Sequence, residues 1–544
     1  METDQRGYND LQSHLKKLGD LDLLYQIDRP IDKDVEMHPL VRWQYRGGIA
    51  EKDRKAFLFT NVTDAKGRSY PGGQVSIGAM AGNRAIYAVG MNKPVEAIGE
   101  TWLAAMANPI PPEIVNEAPC QEVVFTGDAL IGEGKGLDAL PIPISTPGFD
   151  VGPYFTAALW ISRDPDNGIQ NMGIYRGNLK ASDRIAVMME RSTLAGGYIH
   201  WLKYRKLGKP MPVAAVLGAP PIVEFTGPQK LPLDCDELTV AGALAGCPIN
   251  VVRCKTVDLL VPAEAQVVVE GYIDTDDLEP EGPFGESHGY MALEEYNFRM
   301  HVTAITRRKN YIVTSIISQV TPCESSVIKK VAYEPLYLSH LRDHLCIKGV
   351  TRVSLHEPLT NLRRFVFISI TKGTPKTEIW RALLGAASYT PAIGKFCVAI
   401  DEDIDPENTD QVLWAMAYRC NPQLDTHIVP YRGRGHGPEF KGSEIDSTML
   451  IDATAKADYP PVALPKKEYM EHARKLWEEL GLPSLTPQSP WHGYSLGEWT
   501  EEWDDCALKA AKGDWLANGR RTEASLSKTA MPQDLVRDLL TDDD

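Results

Sequence analysis

The chain lacks any uncharged apolar run approaching the roughly 18 residues needed to span a bilayer, so no transmembrane segment is expected. Its opening, METDQRGYND, has neither the basic stretch nor the apolar stretch of a secretory signal, and a cytoplasmic protein is expected. No CxxC pair occurs. The nine cysteines, odd in number and scattered from Cys120 to Cys506, do not fit a disulfide framework and read as reduced, mostly buried thiols. Internal repeats and low-complexity tracts are absent. Positive charge is also scarce: 57 Lys and Arg face 73 Asp and Glu, a formal net charge of -16. That balance argues against non-specific binding to nucleic acid or an anionic membrane. A protein this acidic must gather cations locally to handle an anion, so an Arg or Lys inside an apolar segment carries information.

What is present is globular. With 544 residues, 43% apolar and 24% charged, the chain is too long for one hydrophobic core and should form two or three domains. The first 110 or so residues mix a helical pattern, Leu11 to Leu23, with Gly-rich turns at Gly72, Gly73, Gly82 and Gly90. Between about 120 and 320, short apolar runs such as Val213–Leu217, Val267–Ile273 and Tyr311–Ile317 alternate with Pro and Gly and read as strands. From about 330 to 460 the texture becomes α/β. Phe365–Ile370 and Phe396–Ile400 read as strands, and Thr377–Ala387 and Asp410–Arg419 as helices, the latter capped at Asn408. Near the end, Tyr469, Ala473, Leu476 and Leu480 recur at helical spacing between Pro465 and Gly481. The polar last 40 or so residues, ending TDDD, are expected on the surface or on a neighbouring subunit.

Three segments could carry chemistry. In Leu278–Tyr290 (LEPEGPFGESHGY), prolines and glycines oppose a helix or central strand, so Glu281 and Glu286 would be displayed from a constrained loop. A carboxyl in a dry pocket has a raised pKa and can act as a general acid; an ordinary turn with solvated glutamates is the competing reading. In Asn171–Arg176 (NMGIYR), a guanidinium in an apolar strand needs an anionic partner, either a substrate carboxylate or a buried salt bridge. In Asp234–Leu244 (DCDELTVAGAL), acids precede a small-residue helix; they suit its N-terminus, and a Glu with an Asn amide would also suit Mn or Mg holding a phosphate.

In this order and spacing, Asn-x4-Arg, the Glu before Val-Ala-Gly-Ala, and Glu-Gly-Pro-Phe-Gly-Glu-x-His-Gly-Tyr resemble the UbiD decarboxylases. The resemblance extends to Gly82-Asn83-Arg84, Val251–Pro262, Asp401–Asp405 with Val412–Ala415, and Ile451–Thr454, and so covers roughly residues 10 to 500. It implies an α/β (α+β) fold with a central split β-barrel, flavin-binding-like, and an α/β C-terminal oligomerisation domain. The domains it implies are an N-terminal α/β region at 1–120, a prenylated-FMN-binding split barrel at 121–325, a C-terminal α/β domain at 326–465 and a helical extension at 466–544. It implies reversible decarboxylation of an aromatic or α,β-unsaturated acid, or its CoA thioester, with prenylated FMN, Mn2+ (or Mg2+) and K+. Arg176, Glu281 and Glu286 would form the catalytic network, with Glu286 donating the proton and Arg176 holding the substrate carboxylate. Asn171 and Glu237 would bind the metal, and Ile174, Tyr175, Arg176 and Lys395 would lie against the cofactor. A UbiX-type prenyltransferase would supply that cofactor, and a homo-dimer or hexamer is implied. The long C-terminal segment with Pro490–Gly497 is similar to the aromatic-acid branch.

One departure stands out. The family's third metal ligand is a His where this chain has Ser192-Thr193-Leu194; the nearest candidate is His200, which also reads as a packing residue beside Trp201. Two other functions compete. The chain could be a subunit of a multi-chain carboxylase without activity of its own, although it keeps Arg176, Glu281 and Glu286. Alternatively, His340 and His344, four apart on a helix, could bind zinc, but the Glu of an HExxH site is missing and a solvated face is the plainer reading.

Overall fold

The short Val- and Ile-rich runs of the middle region assemble into one nine-stranded sheet in the computed structural model. The structure describes residues 6–191, 194–229, 231–362, 364–390, 394–433, 445–456, 461–487, 493–495 and 500–524. The chain divides into two compact units, Met1–Thr454 and Ala455–Asp544.

The central strands are β1 (Val123–Thr126), β2 (Tyr154–Phe155), β3 (Leu159–Arg163), β4 (Gln170–Ile174), β5 (Arg176–Ala181), β6 (Arg184–Met188), β7 (Met211–Leu217), β8 (Val267–Glu281) and β9 (Glu295–Arg307). Their order is β4-β3-β7-β8-β9-β6-β5-β2, with β1 added along β9. β4 and β5 lie toward opposite ends of this order, yet only Tyr175 separates them in the chain. The sheet must therefore curl until its ends approach, giving a half-barrel. Trp160 pins the junction, its indole N–H donating to Tyr175 O at 2.8 Å. Both faces of the sheet are buried. On β7, Ala214 and Val216 face one core while Val213, Ala215 and Leu217 face the other.

β8 runs longer than its expected core of Val267–Ile273. Beyond Ile273 it has lost its β7 partner and, after a register shift, continues along β9 as far as Glu281. Leu278–Glu281 are therefore strand and not loop. Pro280 is tolerated because the strand has a ladder neighbour on one side there.

A smaller sheet joins Leu24–Ile27, Ala56–Phe59, Gly73–Ile77 and Tyr311–Ser315, so a late strand completes the N-terminal region. Among the helices of the first unit are α1 (Leu11–Asp20), α2 (Met37–Arg46), α3 (Arg84–Met91), α4 (Gly196–Lys206), α5 (Glu237–Ala245), α6 (Glu324–Ser339), α7 (Lys376–Tyr389) and α8 (Thr409–Arg419). α1 stops before the expected Leu23, with Asp22 in the left-handed region, and the next strand begins at Leu24. Gly73 opens a strand and Gly90 lies inside α3; neither is a turn.

After α6 the chain forms β10 (Val350–Leu355), β11 (Phe365–Ile370), β12 (Phe396–Asp401), β13 (Thr426–Gly433) and β14 (Ile445–Ala453), ordered β10-β11-β12-β14-β13. β11, β12 and β14 are parallel, the expected α/β pattern. Asn408 caps α8 by accepting the N–H groups of Asp410 and Gln411. In the second unit, α9 (Lys467–Glu479) ends before Gly481, as its spacing predicts. Residues 525–544 and most of Pro490–Gly497 lie outside the described residues. All nine cysteines are free thiols. Among the described residues, no helix is long and apolar enough to cross a membrane.

Candidate active site

Arg176 opens β5 immediately after the β4–β5 junction, while Glu281 ends β8 and Glu286 follows one short turn later. The curl of the sheet brings the three together across 110 residues of chain. Arg176 clasps Glu281 with two bonds, Nε to Oε1 at 2.9 Å and Nη2 to Oε2 at 2.8 Å. Its Nη1 donates to Glu286 Oε1. Glu281 has no exposed surface, and the Asn297 amide donates to its Oε2 at 3.2 Å. The side chains of Arg176 and Glu286 keep 10% and 12% exposure, so the cluster opens narrowly to solvent. Burial alone would lower the Arg176 pKa; Glu286 and Glu281 outweigh it and hold the guanidinium above its ordinary value. Phe284 lies under the cation, its ring centre 5.2 Å from the guanidinium carbon, and Tyr154 packs on Phe284 at 4.6 Å. Burial, with Glu281 adding to it, raises the Tyr154 phenol well above its usual range.

Glu237, at the start of α5, reaches β4, the strand that carries Asn171. Met172 N–H, on the free edge of β4, donates to Glu237 Oε2 at 2.7 Å. Glu237 is buried at the start of α5, and burial pushes its carboxyl up to about 8 despite that bond. The neighbouring Asp236 is the cap, accepting Leu238 N–H at 2.9 Å. The capping reading of the acidic segment therefore holds, on Asp236. The Asn171 side chain reaches the Tyr175 hydroxyl at the β4–β5 junction. The Asn171 amide and the Glu237 carboxylate offer oxygen donors of the kind a hard cation takes. No group of three His, Cys, Asp or Glu that could hold a metal occurs among the described residues.

His200 bonds to Ser162, the β3 residue paired with Asn171 in the ladder. On α4, its Nδ1 meets Ser162 Oγ at 2.9 Å and its Nε2 lies 3.9 Å from Asp164, while burial lowers its pKa to about 4. Ser192 and Thr193 lie outside the described residues. Tyr175 accepts Gly197 N–H at 3.1 Å, which sets α4 against the β4–β5 junction, and Ile174 is half-buried against the core on the other face. Lys395 pairs with Asp446 at 2.9 Å in the C-terminal sheet; Ala392 and Ile393 before it are not described. His340 and His344 fall on a single π-helical turn, rings 6.3 Å apart, with His340 resting on Tyr389.

Sequence reasoning missed Asn297 and Tyr154. Asn297 had no motif to mark it, since only the β8–β9 register sets it beside Glu281. Tyr154 stands in a Pro- and Gly-rich stretch with no motif to mark it.

Residues 113–320 match the family model described as the 3-octaprenyl-4-hydroxybenzoate carboxy-lyase Rift-related domain, and 326–453 match that of the C-terminal domain of the same carboxy-lyase. The chain belongs to the UbiD family. It is an enzyme of the carboxy-lyase class. An uncharacterized protein of Aquifex aeolicus is 31% identical over 384 residues, covering 68% of this chain and 75% of the relative. Among solved structures, an evolved dimeric form of the UbiD-class enzyme HmfF from Pelotomaculum thermopropionicum, in complex with prFMN, is 30% identical with a TM-score of 0.70. It spans 84% of this UbiD-family chain and 97% of its own. The vanillic acid decarboxylase of Sedimentibacter hydroxybenzoicus shares the fold at 24% identity and a TM-score of 0.72, covering 87% of this chain and 99% of its own.

Proposed function

We propose that this carboxy-lyase removes carbon dioxide, reversibly, from a small aromatic or α,β-unsaturated acid or its CoA thioester, using prenylated FMN. The observation that carries the reading is the convergence of Arg176, Glu281 and Glu286 in one largely buried cluster. Support for the cofactor comes from similar HmfF structures, which hold prFMN or FMN. Support for an aromatic acid comes from folds shared with decarboxylases of vanillic and 3,4-dihydroxybenzoic acid.

Decarboxylation at an sp2 carbon leaves an electron pair with little to stabilise it, and prenylated FMN supplies the electron sink. The chain's own residues do the rest. Arg176 stays charged and offers its planar fork to the substrate carboxylate, while Glu281 fixes that fork in place. Glu286, at the mouth of the cluster, holds the proton that replaces carbon dioxide at the ring carbon. Phe284 and Tyr154 keep water from one side of the cation. Asn171 and Glu237 would hold the Mn2+ or Mg2+ that anchors the cofactor phosphate, and a UbiX-type enzyme would provide the cofactor. The protein works in the cytoplasm as a homo-dimer or hexamer. The intact cluster favours an active enzyme over a scaffold subunit.

Co-expression with a UbiX-type prenyltransferase, followed by carbon dioxide assay on benzoic, phthalic, naphthoic and cinnamic acids and their thioesters, tests this. We expect turnover of at least one class, and a Glu286→Gln variant that keeps the flavin spectrum without turnover. A protein that takes up no flavin, or wild-type rates in the variant, overturns the reading.

A further inference from the structure

Asn297 reaches the Arg176–Glu281 pair because of the register in which β8 lies on β9. Ile273 pairs with Met300, but Leu278 pairs with Phe298, so five steps along β8 match two along β9. The difference of three is odd, and an odd offset exchanges the two faces of a ladder. Had the earlier register continued, Asn297 would lie opposite Asp276, on the other face from Glu281. In the register observed, Glu281 stands opposite Glu295 and Glu279 opposite Asn297. Asn297 is therefore the diagonal neighbour of Glu281 on one face, within reach of a long side chain. Its amide crosses that diagonal and donates to Glu281 Oε2 at 3.2 Å, with both residues buried.

This third donor does what the first two cannot. The bonds from Arg176 Nε to Oε1 and from Nη2 to Oε2 fix the guanidinium relative to the carboxylate. They leave the pair free to turn together, because the terminal torsion of a Glu side chain has only a broad preference. A donor on another strand, outside the fork, stops that turn. The amide presents its nitrogen and not its oxygen, since a carboxylate only accepts. It also adds no charge, so the guanidinium keeps its own for an incoming acid. We propose that Asn297 is a positioning residue: by holding the Glu281 carboxylate in one orientation, it aims the Arg176 fork at the substrate carboxylate. The aim at substrate rests on the decarboxylase reading; the hold on Glu281 does not.

Urea unfolding of the flavin-loaded protein tests the hold without turnover. Asn297→Ala should lower the midpoint. In the Glu281→Gln background that loss should shrink to about half, because a hydrogen bond to a charged acceptor is about twice as strong as one to a neutral acceptor. An equal loss in both backgrounds overturns the proposal. In turnover, Asn297→Ala should raise KM about tenfold and lower kcat less than about threefold, since a bound acid itself aligns the fork. Asn297→Leu keeps the volume and drops the donor, so it should match Asn297→Ala. A wild-type KM in Asn297→Leu would reduce Asn297 to packing and overturns the proposal, as does a loss in kcat with KM unmoved. If Asn297→Ala does not fold, Asn297→Ser carries both arms, its hydroxyl standing too far back to make the bond. Failure of the wild type on every acid would instead strike the decarboxylase reading and leave the urea result standing.

Discussion

Glu281 and Glu286 lie five positions apart yet stand in different electrostatic settings. Glu281 is sealed, with both oxygens committed to Arg176 and one also to Asn297; Glu286 lies nearer solvent at the Arg176 Nη1 donor. Removing the first should therefore hurt folding as well as chemistry. Glu281→Gln leaves a buried guanidinium short of its counter-charge, and we expect a loss of about 3 kcal/mol in urea unfolding together with lost turnover. An unchanged midpoint would show that Glu286 alone balances Arg176. A second residue-scale expectation concerns the β4 edge. Asn171→Ala and Glu237→Ala should each lower flavin and metal content of the purified protein at least tenfold relative to wild type, about 1.4 kcal/mol of binding. Full occupancy in both would move the phosphate anchor elsewhere.

At the scale of elements, close approach and capping decide stability. In α3, a Cβ on Gly90 would come 2.8 Å from Phe225, whose ring stacks on Tyr87 at 3.9 Å. Gly90→Ala must push that stack apart, at about 1–3 kcal/mol, despite the better helix propensity of Ala. Thermal melts that show a gain would mean the ring yields freely. Asn408→Ala strips α8 of its cap and should cost about 1 kcal/mol by the same assay, with activity kept. The α8 cap and the Phe365–Ile370 strand were legible because both are local, set by residues next to each other in the chain. Gly90 was not, since the reason for a glycine there is a ring 135 positions away.

At the scale of the molecule, two buried acids should shape the pH response. Burial raises Glu224 to about 8 and Glu324 to about 7, from an ordinary 4.5. Their folded values exceed their unfolded ones, so the folded state binds more protons between those limits. The stability they contribute is full below about pH 4.5 and is lost as pH rises through about 7 and 8. We expect the melting temperature to fall from about pH 5 to about pH 8. Glu224→Gln should recover about 2 kcal/mol at the upper pH and little at the lower. A variant with the wild-type slope would show that Glu224 stays neutral at no cost.

Composition, charge and motif order by themselves determined much: an acidic globular α/β chain, a β-rich middle, and the residues Arg176, Glu281, Glu286, Asn171 and Glu237 as those to watch. Strand texture follows local side-chain preference, and a Pro- and Gly-rich motif is spelled out in consecutive letters. What only tertiary structure decided is who faces whom. The curl of the sheet joins β5 to the end of β8; the β8–β9 register brings in Asn297; α2 delivers Arg42 to Thr146. Likewise Arg84, from the early Gly-Asn-Arg motif, comes within 3.6 Å of Glu407, just past the Asp401–Asp405 motif. The physical reason is that these pairings depend on burial and on distances through space, and no spacing along one chain encodes them.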